Sequence, residues 1–260
     1  MGGRDELFYL EGKTALVTGG GSGIGAMIAR GLVSRGVRTY VTGRDAAKIA
    51  EFAAELSASG GSCTGLAADL SVRHGPEALA EQIGAVEDRL HILVNNAGTN
   101  ADGGLDALSQ DTWDEVLAVN LRAPVFLVRA LLAQLKAAAT PADPARVINV
   151  GSIGGLHVPN WEAHPYGASK AGIHHVTRSL AKALGRDHIT VNAIAPGPFP
   201  SKMHDTSSDA TQQSIATYVP LGRAGSAEDA EGAVVFLASR AGAYVNGHVL
   251  PLDGGYIAAL

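Results

Sequence analysis

The 260-residue sequence predicts an α/β protein built on a parallel sheet with helices on both faces. Three observations carry this. Short β-branched runs alternate with longer stretches of helical periodicity along most of the chain, the signature of successive βαβ units. A glycine cluster at 19–25 stands between the first such run and the first helix. The composition, 46% apolar and 17% charged, excludes a disordered or fibrous chain. A chain of this length is served by one hydrophobic core, so a single domain over 1–260 is expected.

In order, residues 14–18 read as a buried strand, 19–23 as a turn, and 24–35 as a helix whose Ile24, Ile28 and Leu32 share one face. A second strand covers 38–42, and Asp45 caps a helix running to Leu56. The strand at 62–67, the helix at 76–86 and the strand at 92–95 continue the alternation. One long helix is predicted from Thr112 to about Ala139, where three alanines precede Pro141. A strand at 146–150, a helix at 166–184 and a strand at 190–195 follow, and a helix at 227–238 and a strand at 249–252 close the chain. The segment 198–221 carries Pro198, Pro200 and Pro220 and no sustained periodicity, which predicts a long loop, either a lid over a substrate or disordered.

Composition also narrows function. The net charge is −5 and no Lys/Arg run forms a phosphate-tracking stripe, so no nucleic-acid partner is expected. Cys63, the only cysteine, allows neither an internal disulfide nor a cysteine metal cluster, and His157 and His164 lack ligand spacing, so no metal is expected. The first eleven residues lack a secretory pattern, and no stretch approaches the roughly 20 apolar residues that cross a bilayer. A cytoplasmic protein with a small-molecule partner and no membrane association is the expectation.

A strand, a glycine turn and a helix start together suit a pyrophosphate: Gly19, Gly21, Gly23 and Gly25, with Ser22 and Ile24, let backbone N–H groups and the helix dipole face its charge. An ordinary glycine-rich turn is the alternative. The second strand ends at Gly43-Arg44, space and a guanidinium where a carboxylate would repel a 2′-phosphate, which favours NADP (as NADPH) over NAD. The competing reading gives the ribose to Asp45. Asp69, with Leu70 beside it, is either an adenine contact or a helix cap. Asn95-Asn96-Ala97-Gly98 ends the fourth strand near the switch point of such sheets, or forms an Asx turn.

Tyr166 and Lys170 stand one helical turn apart on one face. An ammonium there is expected to lower the phenol from its free pKa of about 10 and make Tyr166 a usable proton donor. Taken alone, the same spacing also occurs in surface packing. Pro124 has no N–H for the Asn120 carbonyl, freeing that oxygen for a water or kinking the helix.

These residues, with Ser152 and Pro196-Gly197, occur in an order in which the chain resembles the short-chain dehydrogenases/reductases from Lys13 nearly to its end. The resemblance implies a Rossmann-type doubly wound fold, a seven-stranded parallel sheet, and a catalytic tetrad of Asn120, Ser152, Tyr166 and Lys170. In it Ser152 holds the substrate oxygen, Lys170 also binds the nicotinamide ribose, and Asn120 holds a relay water. Pro196, Gly197, Phe199 and Ser201 are implied to meet the nicotinamide, Ser201 replacing the more usual Thr. A homotetramer built on the helices at 111–136 and 166–184 is implied too.

The stretch from Ser152 to Tyr166 is one residue longer than in many members, and the run Ala195 to Ser201 is similar to that of the 3-oxoacyl reductases of rhamnolipid synthesis. NADPH-dependent reduction of a 3-oxoacyl thioester or related β-keto compound is therefore the expectation. A broad carbonyl reductase or secondary alcohol dehydrogenase stands as the alternative within enzymes, and a non-catalytic NADP sensor outside them. Ile153, Leu156, Trp161, Phe199, Met203 and Tyr218 are candidates for an acyl pocket or for loop core.

Overall fold

In the computed structural model, residues 6–101, 104–158, 162–200 and 208–260 are described. Seven strands form one sheet in the order β3-β2-β1-β4-β5-β6-β7: β1 Thr14–Val17, β2 Arg38–Gly43, β3 Cys63–Ala67, β4 Ile92–Asn95, β5 Ala145–Val150, β6 Ile189–Pro196 and β7 Val249–Leu252. Every neighbouring pair is parallel. The order reverses between β1 and β4, so the crossovers leave in opposite directions there and open a crevice at the carboxyl ends of the strands.

The alternation of side chains along each central strand feeds two cores. Ala15 and Val17, Ile92 and Val94, and Ile148 and Val150 face α1 (Gly23–Val33), α2 (Ala46–Ala58) and α9 (Ala227–Ala238). Leu16, Leu93, Val147 and Val191 face α3 (Gly75–Gly84), α5 (Ala123–Ala130), α6 (Leu132–Ala138) and α7 (His164–Leu184). Each fully buried Val, Leu or Ile is worth about 1.5–3 kcal/mol, which is why these short strands hold without a polar face.

Two elements differ from the sequence reading. The helix expected from 112 to 139 is broken into α4 (Gln110–Leu117), a π-turn at Ala118–Arg122, α5 and α6. Pro124 explains the first break. With no N–H at Pro124, the chain takes an extra residue, and Ala123 N–H reaches back to Ala118 O in place of the usual fourth-residue partner. The second break bends the axis by 60° at Leu131, where the backbone leaves the helical region (φ −95°, ψ 9°). The other difference lies in the expected loop. Asp209–Tyr218 is a helix, α8, capped by Ser208, whose hydroxyl accepts from Thr211 N–H, and Ile215 anchors it at 3% exposure.

Among the described residues no single helix is long and apolar enough to cross a membrane; the apolar stretch 110–138 passes only as a bent pair. Its Leu127, Leu131 and Leu135 are fully buried in the second core.

A chain of buried amides ties the sheet to α7. Asn95 Nδ2 donates to Asn149 Oδ1 (2.9 Å), Asn149 Nδ2 to Thr177 Oγ1 (2.9 Å), and Thr177 Oγ1 to Ile173 O (2.7 Å). Asn95 and Asn149 are direct partners across β4 and β5, so each buried amide satisfies the next.

Candidate active site

The carboxyl ends of β1, β4, β5 and β6 open into a cavity of about 910 Å³. Its floor on one side is the turn after β1. Gly19 has φ +62°, a left-handed conformation that favours glycine. A Cβ on Gly25 would overlap both Asn96 Nδ2 and Gly19 O, so helix α1 can start this close to β4 only with glycine there. Asn96 laces the two together, its Nδ2 donating to Thr18 O (2.9 Å) and Gly19 O (3.1 Å). The Thr18 hydroxyl in turn accepts from Asn96 N–H and Ala97 N–H, both at 3.0 Å. Ser22 precedes α1 without a side-chain cap bond, so its hydroxyl does not cover the first amides of the helix.

Of the residues expected at a nucleotide, Gly19, Ser22, Gly23 and Ile24 line the cavity, as do Asn96, Ala97 and Gly98, and on the far side Pro196, Gly197 and Phe199. Gly21, Gly25, Arg44, Asp69 and Leu70 do not. Gly21 lies against Ile49 and Gly25 is packed behind the turn; Leu70 is a core residue at 7% exposure. Asp69 is exposed, but its Oδ1 accepts from Ser71 N–H (2.9 Å) and Ser71 Oγ–H (2.6 Å); with Arg44 nearby, these bonds lower its pKa. Asp45 caps α2, accepting from Ala47 and Lys48 N–H at 3.1 Å, while the neighbouring Arg44 is exposed. Ser201, Trp161 and Met203 lie outside the described residues.

The chemical end of the cavity is built by β5 and α7. Ser152 follows β5 and opens a short 3-10 turn, Ile153–Gly155, with its Oγ accepting from Gly154 N–H (3.1 Å). Tyr166 lies in the first turn of α7, Lys170 one turn on, and both line the cavity with Ser152. The Ser152 hydroxyl contacts the Tyr166 phenol and favours its ionised form, but burial of the phenol outweighs this and its pKa is raised. That corrects the expectation of a phenol lowered by Lys170. The reason is geometric: Lys170 Nζ lies 5.5 Å from the Tyr166 ring centroid and donates to Val150 O at 2.8 Å. Burial without an anionic partner brings Lys170 down to about 8.

Asn120 sits in the π-turn, 3% exposed. Its Nδ2 donates to Thr99 O (2.9 Å) and Ser169 Oγ (3.0 Å), and its Oδ1 accepts from Thr99 N–H (2.9 Å). A Cβ on Gly98 would stand 3.3 Å from Asn120 Oδ1 and 3.8 Å from Lys170 Nζ, so a residue without a side chain separates them.

Of the acyl-pocket candidates, Ile153 and Phe199 line the cavity, whereas Leu156 and Tyr218 are on the surface at 39% and 44% exposure. Wall residues the sequence reading did not foresee include His157, Glu162, Ser214, Ile215 and Tyr256. Tyr256 reaches the cavity from the end of the chain and stacks loosely on His157, with centroids 5.3 Å apart. Among the described residues no group of three His, Cys, Asp or Glu side chains gathers as metal ligands.

Residues 19–257 match the family described as Enoyl-(Acyl carrier protein) reductase. The chain is 42% identical over 251 residues to the rhamnolipids biosynthesis 3-oxoacyl-[acyl-carrier-protein] reductase of Pseudomonas aeruginosa, covering 96% of this chain and 98% of that one. A second 3-oxoacyl-[acyl-carrier-protein] reductase of that organism is 37% identical over 246 residues, covering 95% and 98%. The solved structure described as the Pseudomonas aeruginosa RhlG/NADP active-site complex superposes with a TM-score of 0.93 at 42% identity, covering 97% and 99% of the two chains. Sequence, sheet order and the grouping of Ser152, Tyr166 and Lys170 agree, and the chain belongs to the short-chain dehydrogenase/reductase family, with 3-oxoacyl-[acyl-carrier-protein] reductases among its relatives.

Proposed function

We infer that this chain is an NADPH-dependent reductase that converts the carbonyl of a 3-oxoacyl thioester, or a related β-keto compound, to a hydroxyl. The observation that carries this reading is the convergence of two hydroxyls, Ser152 and Tyr166, in contact at the end of a cavity whose other end is a glycine cradle. The cradle fits a dinucleotide, because Gly19, Ser22, Gly23 and Ile24 line the cavity where α1 begins and the Ser22 hydroxyl leaves the first amides of that helix uncapped. The relatives' names supply the substrate class and the cofactor.

A nicotinamide held there would supply hydride to the carbonyl carbon. Ser152 holds the carbonyl oxygen, and Tyr166 gives that oxygen its proton. The phenolate left behind is favoured by the Ser152 contact, and the enclosed Lys170 ammonium, held by the Val150 carbonyl, would orient the ribose. The Asn120 side chain is committed to Thr99 and Ser169, so its part falls to the main-chain carbonyl, which Pro124 cannot satisfy and which would hold a water returning the proton. Arg44 would meet the 2′-phosphate and Asp69 would stand toward the adenine, Pro196, Gly197 and Phe199 would border the nicotinamide, and Thr211, Ser214 and Ile215 of α8 would flank the substrate.

The matched family's description speaks of enoyl reduction, while the two hydroxyls point to a carbonyl oxygen. NADPH oxidation with acetoacetyl thioesters, enoyl thioesters, cyclic ketones, quinones and sugars separates the two, and preference for the enoyl substrate overturns the proposal. The homotetramer would cover the half-buried Trp113, Leu121 and Phe126 along 111–136. Light scattering after size exclusion tests it.

A further inference from the structure

The face of α7 that carries Tyr166 and Lys170 carries a third polar side chain one turn further on. His174 is 2% exposed, and its ring makes no well-formed hydrogen bond, the Gly155 carbonyl being a weak polar neighbour. Burial and the neighbouring Lys170 bring it down to about 4, so the ring is uncharged, with Arg178 adding a weaker push in the same sense and the Gly155 carbonyl a weak pull the other way. A buried polar group without partners costs about 1–3 kcal/mol, and an aliphatic side chain would fill space without that penalty. Packing volume alone therefore does not explain an imidazole here.

What lies on the ring is the turn that holds Ser152. A Cβ on Gly151 would overlap His174 Nε2 and come within 2.7 Å of Cδ2, so the backbone at Gly151 rests directly on the ring edge. At the other end of the turn, a Cβ on Gly155 would stand 2.5 Å from Lys170 C and 2.7 Å from Ala171 N, so this end rests on the α7 backbone itself. Ser152 lies between two supports with no slack, and Gly151 N–H is tied to Ile194 O (2.8 Å) on the sheet side.

We propose that His174 is a positioning residue, whose planar ring sets the height of the 151–155 turn above α7 and so holds the Ser152 hydroxyl against the Tyr166 phenol. This rests on the reading that those two hydroxyls meet the substrate. A misplacement of about 1 Å costs on the order of 100-fold in rate, so His174→Ala should lower kcat about 10- to 100-fold. NADPH affinity should stay within about twofold, because the cradle at 19–25 lies on other elements. The limb of the kcat–pH profile that follows Tyr166 should move to higher pH, since the Ser152 contact that favours phenolate is loosened.

A double-mutant cycle separates positioning from plain destabilisation. Gly151→Ala alone pushes the turn off the ring and should cost activity, and His174→Ala should restore part of it by removing the overlap. His174→Asn, with a flat polar end, should keep more activity than His174→Ala. Parent kcat and pH profile in folded His174→Ala, or strictly additive losses in the cycle, overturn the proposal; so does failure of both His174 variants to fold, which would leave His174 a role in the core alone. If Tyr166→Phe retains turnover, the proposed function fails instead, whichever way the His174 variants behave.

Discussion

Lys170 holds its ammonium 5.5 Å from the centre of the Tyr166 ring yet gives its hydrogen bond to the Val150 carbonyl at 2.8 Å. The charge thus stands near the phenol without contacting its oxygen, and desolvation governs both groups: the tyrosine is raised and the lysine lowered.

The first expectation follows for Tyr166 itself. In the cofactor-free protein its phenol should ionise above the ordinary value of 10, and Ser152→Ala should push it higher by removing the contact that favours phenolate. Ultraviolet titration of phenolate, taken as the difference between the parent and Tyr166→Phe, measures this. Ionisation below 10 without cofactor would contradict it.

Lys170 carries a stability cost with a defined pH window. Its pKa falls from 10.5 to about 8 on folding, so below pH 8 the buried ammonium opposes folding by up to about 3 kcal/mol. Between pH 8 and 10.5 the unfolded chain keeps a proton that the folded chain has released, so the penalty shrinks as pH rises. Lys170→Met should therefore be inactive yet more resistant to urea at neutral pH, and the difference should narrow toward pH 10. Equal or lower stability of the variant at neutral pH counts against this account.

Asn120 is the sole side chain satisfying both Thr99 N–H and Thr99 C=O among the hydrogen bonds described. Asn120→Ala should cost about 2 kcal/mol by orphaning them, and should lower kcat by loosening the segment between Gly98 and Lys170. Denaturant titration and steady-state kinetics read the two effects separately. A variant with parent stability would show that solvent replaces the amide.

Because Asp45 is committed to capping α2, Arg44 is left as the candidate for cofactor choice. Arg44→Asp should weaken NADPH about 10- to 100-fold relative to NADH, as expected for loss of a charge-assisted pair worth about 1.5–3 kcal/mol. Asp45→Asn should leave selectivity unchanged, since an amide still caps the helix. Unaltered selectivity in Arg44→Asp would return the ribose to another residue.

The fold was legible wherever one residue type has one physical use. β-branched runs gave all seven strands to within a residue or two, and Asp45 is the cap its position implied. Tyr166 and Lys170 share a cavity wall because four residues span a helical turn. The long helix was misjudged because its apolar periodicity continues through 110–138 while Pro124 and Leu131 break its geometry. Helix α8 escaped notice because Ile215 is its one buried side chain among those described, in a run dominated by Thr, Gln, Ser and Ala. Tyr256 and His157 meet only through tertiary folding, and no local pattern joins residues so far apart. The raised phenol needed knowledge of where the Lys170 hydrogen bond goes, which spacing does not contain.

The buried amides of Asn95 and Asn149 end on Thr177, seven residues beyond Lys170 on the same helix. A helix turns by about 100° per residue, so the relay acts as a rotational stop: a slip of one position would swing the phenol and ammonium out of the cleft. Angular accuracy at the reacting end is thus set by side chains buried inside the molecule. Replacing Asn149 with an aliphatic residue would free the helix to roll while leaving every group that touches substrate in place.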